Sequence, residues 1–116
     1  MKIKLFIIFV SLFFITACTN QETKGLINKE QAISLMDKGA ILIDVRTENE
    51  YLENHIEGAI SLPLNDLDSI METYDENQVI IVYCQSGNRS HIAKGKLEEM
   101  NYKNVYDFGS IENWGD

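Results

Sequence analysis

The chain has 116 residues, with ten Lys and Arg against eighteen Asp and Glu, for a formal net charge of −8. That length holds one domain and little else, and the surplus of carboxylates argues against nucleic acid as a partner, because phosphate neutralisation needs a basic face. Two cysteines and two widely separated histidines offer no metal-ligand spacing, and no cofactor is expected.

Lys2 and Lys4 open the chain, and Leu5 to Ala17 is an almost unbroken apolar run of 13 residues. A spanning helix needs about 20, so residues 1–17 read as a signal peptide with a charged start and a hydrophobic body. Ile15-Thr16-Ala17-Cys18 resembles the lipobox of bacterial lipoproteins, in which small residues admit the peptidase and the cysteine thiol takes a lipid. The resemblance implies an acylated Cys18, an extracytoplasmic location and a membrane anchor of two or three acyl chains, enough for stable attachment. Removal of residues 1–17 takes two lysines away, so the mature chain carries eight basic against eighteen acidic residues, a net charge of −10. Such a body gains nothing from an anionic membrane surface, and attachment must come from the lipid. With Cys18 lipidated, Cys84 has no partner for an intramolecular disulfide. Residues 18–25 are then the lipidated cysteine and a polar tether, and residues 26–116 the folded domain.

From residue 26 helix and strand patterns alternate. Asn28 and Gln31 form a capping pair for a helix carrying Ala32, Ile33, Leu35 and Met36, which stops at Gly39. Ala40 to Val45 is an apolar strand of the kind buried on both faces. Thr47 and Glu50 are a second capping box, for a short helix through about Glu53. Ala59 to Leu62 is a brief strand stopped by Pro63. Leu67, Ile70, Met71 and Tyr74 have the spacing of an amphipathic α-helix. Gln78 to Tyr83 is the strongest strand and therefore central; a helix from about Arg89 to Met100 and a strand over Asn104 to Phe108 follow. The pattern predicts an α/β fold, a small, mostly parallel sheet covered by helices on both faces. In such sheets ligands sit at the carboxyl ends of the strands, where Cys84 falls.

Cys84-Gln85-Ser86-Gly87-Asn88-Arg89-Ser90 carries the chemistry. A buried strand ends at the cysteine, a loop with glycine at its middle turns the chain, and a helix begins. A loop curling into a helix N-terminus turns several N–H groups inward as an anion cradle, and the helix dipole adds partial positive charge. A thiol held there should titrate low. Arg89 is expected to add a full charge to the cradle.

The same residues resemble the active-site loop C-x-x-G-x-R-S of single-domain rhodaneses, the thiosulfate sulfurtransferase superfamily. Upstream, Leu42 to Tyr51 and His55 to Pro63 resemble that family's D-V-R-x-x-x-E-[YF] and H-I-x-G-A stretch, and Phe108 to Trp114 resembles its closing G-G-x-x-x-W. The sequence departs from the pattern at Asn54 and Ser110, where the family usually has glycine, and at Ser61, where it has asparagine. Asn tolerates a left-handed φ, so Asn54 is expected to keep the glycine's turn.

The resemblance implies a rhodanese-like three-layer fold, with Cys84 as the catalytic nucleophile and Gln85, Ser86, Gly87, Asn88, Arg89 and Ser90 as the substrate-binding loop. It makes Asp44, Arg46, Glu50 and His55 structural support rather than a catalytic set. Trp114 and Tyr83 read as packing residues, and His91 as solvated. The implied reaction moves a sulfane sulfur from a small donor such as thiosulfate to a thiol or cyanide-like acceptor, which can be a protein thiol, through a Cys84 persulfide. A persulfide carrier and a non-enzymatic binding module are the alternatives. Phosphatase and arsenate reductase activities are disfavoured, because the phosphatase branch has the longer C-x5-R loop and this loop is C-x4-R. A monomer is expected.

Overall fold

The computed structural model describes residues 25–115. The expected signal peptide of residues 1–17, Cys18 and the expected tether up to residue 24 lie outside the described residues.

Helix α1 (Lys29–Asp37) starts on a reciprocal cap. The Asn28 side chain accepts from the Gln31 N–H at 2.8 Å, and the Gln31 side chain accepts from the Asn28 N–H at 2.9 Å. Gly39 ends it at φ +101°, a conformation that a Cβ disfavours. The buried stripe is narrower than its sequence suggests: Ala32 is fully buried, whereas Ile33 is exposed.

Strand β1 (Ile41–Asp44) leads into α2 (Glu48–Glu53), capped reciprocally by Thr47 and Glu50. Asn54 does not take the left-handed turn expected of it. Its backbone is extended, at φ −165°, and presents its carbonyl to Arg46; the positive φ of this connection belongs to Gly58. After β2 (Ala59–Ser61), residues Leu64–Glu72 form a 3-10 helix rather than the expected α-helix. Leu64, Leu67 and Ile70 recur at a period of three, which a 3-10 helix stacks on one face. All three meet the core, while Met71 is left exposed.

Strand β3 (Val79–Cys84), helix α3 (Asn88–Glu99), strand β4 (Asn104–Ser110) and a 3-10 turn (Ile111–Trp114) complete the order. The four strands form one all-parallel sheet in the order β2-β1-β3-β4. Along β3 the side chains alternate between two cores. Ile80, Val82 and Cys84 face α3 and the 3-10 segment 64–72, while Ile81 and Tyr83 face the side of α1. Each such aliphatic residue contributes about 1.5–3 kcal/mol by leaving water, which makes β3 the strand on which both layers depend.

Strand β4 runs two residues past Phe108, the end expected from sequence, by way of a bulge. Val82 lies opposite Asp107 but Tyr83 lies opposite Gly109, so Phe108 is the extra residue. Gly109 takes φ +82°, and its N–H donates to the Asp107 carboxylate at 2.8 Å. The offset places Ser110 directly beside Cys84. Bulges of this kind re-aim side chains next to functional sites.

Candidate active site

The sheet delivers Cys84 to the carboxyl end of its central strand, and the chain then folds over the sulfur. Gly87, at φ +99°, caps α3, and the Gly87 carbonyl accepts the first helical hydrogen bond from the His91 N–H at 3.1 Å. The Gly87 N–H donates to Cys84 Sγ at 3.0 Å. Burial alone pushes the Cys84 thiol up. Hydrogen bonding from the Ser90 N–H and hydroxyl, and from the Gly87 and Ser86 N–H groups, outweighs it and holds the thiol below its ordinary value. The Ser90 hydroxyl donates to the Gly87 carbonyl at 3.0 Å and can rotate toward the sulfur once that is charged. Cys84 is fully buried beneath the loop.

Arg89 is not the free cation that its place in the loop suggests. Its guanidinium grips the Glu50 carboxylate through two nitrogens, at 2.6 and 3.0 Å, and both side chains are about one-third exposed. Glu50 in turn accepts from the Thr47 N–H and hydroxyl at 3.2 and 3.1 Å. The Arg89 bond above all, with the two from Thr47, holds the Glu50 carboxyl at about 2 against the opposing effect of burial. The planar fork matches the carboxylate, and the pair ties α2 to the start of α3.

Asp44 and Arg46 form a separate, deeper pair. Arg46 Nη2 reaches Asp44 Oδ2 at 2.7 Å, Nε lies 3.0 and 3.1 Å from the two carboxylate oxygens, and the Arg46 N–H donates to Oδ1 at 2.9 Å. The remaining guanidinium donors go to the Asn54 carbonyl at 2.6 Å and to Gln85 Oε1 at 3.1 Å. The pair is almost wholly buried, where an ion pair persists only if its hydrogen-bonding capacity is met. Among the described residues no buried side-chain nitrogen or oxygen lacks a partner. The four charged residues of the two motifs thus make two ion pairs, one under the loop and one beside it.

Tyr83 is the member of this site that sequence reasoning missed. It is no mere packing residue: its hydroxyl donates to Asp44 Oδ2 at 2.8 Å and accepts from the Ile56 N–H at 3.2 Å. Burial, reinforced by Asp44, pushes that hydroxyl well above its ordinary value and keeps it a donor. His55 is exposed, stacked on Tyr51 with ring centroids 3.8 Å apart, and its Nδ1 lies 2.8 Å from the Tyr51 carbonyl. Beside it an open depression lined by Gln85, Glu57, Glu112 and Trp114 adjoins the loop.

A second surprise lies on β4. Ser110 Oγ donates to the Gln85 carbonyl at 2.6 Å and accepts from the Glu112 N–H at 3.1 Å. Leu26 packs its methyl groups over Gly109, and the Ile27 N–H donates to the Asp107 carbonyl at 3.0 Å, so these two residues lie alongside β4.

The profile of the Rhodanese-like domain matches residues 28–116. The chain belongs to the rhodanese family. It is 38% identical over 72 residues to the thiosulfate sulfurtransferase PspE of Escherichia coli (strain K12), spanning 60% of this chain and 69% of that protein. The thiosulfate sulfurtransferase GlpE of Pseudomonas entomophila is 33% identical over 89 residues, spanning 76% of this chain and 82% of that one. Among solved structures, a rhodanese with anions from E. coli superposes with a TM-score of 0.61 at 35% identity, covering 65% of this chain and 91% of its own. A human single-domain sulfurtransferase, TSTD1, shares the fold, with a TM-score of 0.69 at 22% identity. The rhodanese fold expected from the sequence is therefore the fold of the chain.

Within that fold, the loop from Gln85 to Ser90 encloses the Cys84 sulfur through its backbone. The side chains of Gln85 and Arg89 are engaged by Arg46 and Glu50.

Proposed function

We propose that this rhodanese is an extracytoplasmic, lipid-anchored sulfurtransferase that works through a persulfide on Cys84. The observation that carries the chemistry is the Cys84 sulfur at the focus of inward-turned N–H groups, one of them at 3.0 Å, with the thiol held below its ordinary value. The Cys84 thiolate attacks the outer sulfur of a donor such as thiosulfate. A new S–S bond forms, the donor's own S–S bond breaks, and sulfite leaves with the electron pair. A thiolate or cyanide-like acceptor then attacks the terminal sulfur, the persulfide bond breaks, and the Cys84 thiolate is restored. The N–H groups stabilise the anionic sulfur at both stages without a neighbouring base. The names of the relatives, thiosulfate sulfurtransferases at 33–38% identity, support this reaction class.

The test is intact mass before and after thiosulfate, with a gain of one sulfur atom on the wild-type chain and none on Cys84→Ser. Serine accepts the Gly87 N–H as the sulfur does, so the loop keeps its shape. A Cys84→Ser variant that still turns over, or a wild-type chain that never gains sulfur, overturns the proposal.

The engagement of Arg89 by Glu50 favours a second reading of the partner. No unpaired cation of the loop is left to draw in a dianion, and the net charge of the chain is −8, which slows anion capture. That favours a persulfide carrier that serves a low-mass or protein thiol. Turnover with cyanide against turnover with thiols separates the two.

The location rests on the apolar run and Cys18. Cys18→Ser should release the chain from the membrane fraction with the domain still folded, because residues 19–25 are polar and offer no core residue. Acylated, membrane-bound Cys18→Ser protein would contradict the anchor.

A further inference from the structure

We propose that Ser110 is a positioning residue of the sulfur site, holding the Gln85–Ser86 peptide so that its N–H end stays turned to the Cys84 sulfur. The proposal rests on the reading that the Cys84 thiolate is the reacting group.

The argument begins in the sheet. The β4 bulge sets Ser110 opposite Cys84, one strand away. There Ser110 Oγ donates to the Gln85 carbonyl at 2.6 Å, the shortest hydrogen bond that the loop backbone receives from outside itself. A trans peptide is a rigid plane whose C=O and N–H point in opposite directions. A hydroxyl that fixes the Gln85 carbonyl on one side therefore fixes the Ser86 N–H on the other. That N–H stands one residue before the Gly87 N–H that donates to Cys84 Sγ at 3.0 Å, and it favours the charged form of the sulfur.

The hydroxyl has its own direction imposed on it. Ser110 Oγ accepts from the Glu112 N–H at 3.1 Å, in the first turn of the 3-10 segment Ile111–Trp114. With that lone pair occupied, its proton is left for the Gln85 carbonyl. The result is a relay from the Glu112 N–H to the Ser110 hydroxyl and from that hydroxyl to the Gln85–Ser86 peptide, whose N–H end favours the charged sulfur. Hydrogen bonds in series polarise one another in the same sense, so each link makes the Ser86 N–H a better donor to a thiolate or persulfide. Ser110 does not touch the sulfur and acts only through the peptide. The family pattern usually has glycine here, so the hydroxyl tunes a cradle that exists without it.

The test titrates the thiol in the full chain. The ultraviolet absorbance of the thiolate, taken as the difference between each protein and its Cys84→Ser counterpart, gives an apparent pKa and cancels any contribution from Cys18. Ser110→Ala and Ser110→Gly should raise that pKa by roughly 0.5 to 1, the equivalent of one ordinary hydrogen bond, while Ser110→Thr should keep the wild-type value. The glycine variant carries the usual residue of the family and guards against a failure to fold. Unchanged titration in both variants, or a rise of equal size in the threonine variant, overturns the proposal. The readout needs no sulfur transfer, so it stands apart from the persulfide assay.

Discussion

Arg89 and Glu50 lie 39 positions apart in sequence and are joined by two hydrogen bonds, at 2.6 and 3.0 Å. A residue that sequence alone assigns to anion attraction is thereby neutralised by a carboxylate from the other motif. The charge that a thiosulfate dianion meets at the loop is set by this pair and not by the arginine.

Glu50→Gln should therefore improve capture of an anionic donor. Glutamine still serves as the third residue of the capping box, so α2 keeps its start, and the guanidinium is left with an uncompensated charge. The expected change is a rise in kcat/KM for thiosulfate of up to about tenfold, equal to ~1.4 kcal/mol, carried mainly by KM. Arg89→Ala exposes a lone carboxylate and should raise KM instead. Steady-state kinetics at low ionic strength check both, and the difference should shrink with added salt.

The same pair sets part of the acid stability. The folded-state pKa of Glu50, about 2, lies below the ~4.3 of an unfolded chain. Its contribution is thus present above about pH 4.3 and is lost as pH falls toward 2. Denaturant unfolding across that window should show the wild type losing its advantage over Glu50→Gln, with the two curves meeting near pH 2.

Tyr83→Phe tests the buried network from the opposite face of the sheet. It strands the Ile56 N–H and removes one donor from Asp44. An unsatisfied buried donor costs about 1–3 kcal/mol, which should appear in equilibrium unfolding. The sulfur faces the other core, so the Cys84 titration should not move.

What could be read in advance follows from how local each signal is. The caps at Asn28 and Thr47, the apolar run of β3 and the Cys84 loop are written in contiguous residues and stand where the sequence puts them. The spacing of Leu67, Ile70, Met71 and Tyr74 reads as an α-helix, but Leu64, Leu67 and Ile70 also recur at a period of three, and the segment takes the 3-10 form. The tyrosine hydroxyl of Tyr83 and the serine hydroxyl of Ser110 were missed for a different reason. Their partners, Asp44 and Gln85, come from other strands and loops, and only the parallel pairing brings them together. Arg89 reads as a free cation from its own motif because its partner, Glu50, lies 39 positions away in the other one.

The complete cover over Cys84 divides the two halves of a transfer cycle by size. An empty thiolate hidden behind its surroundings resists chance pairing with bulky thiols. An added sulfur sits about 2 Å from Sγ, the length of an S–S bond. In the proposed cycle that outer sulfur is the atom a large acceptor meets, and the buried Sγ stays behind it.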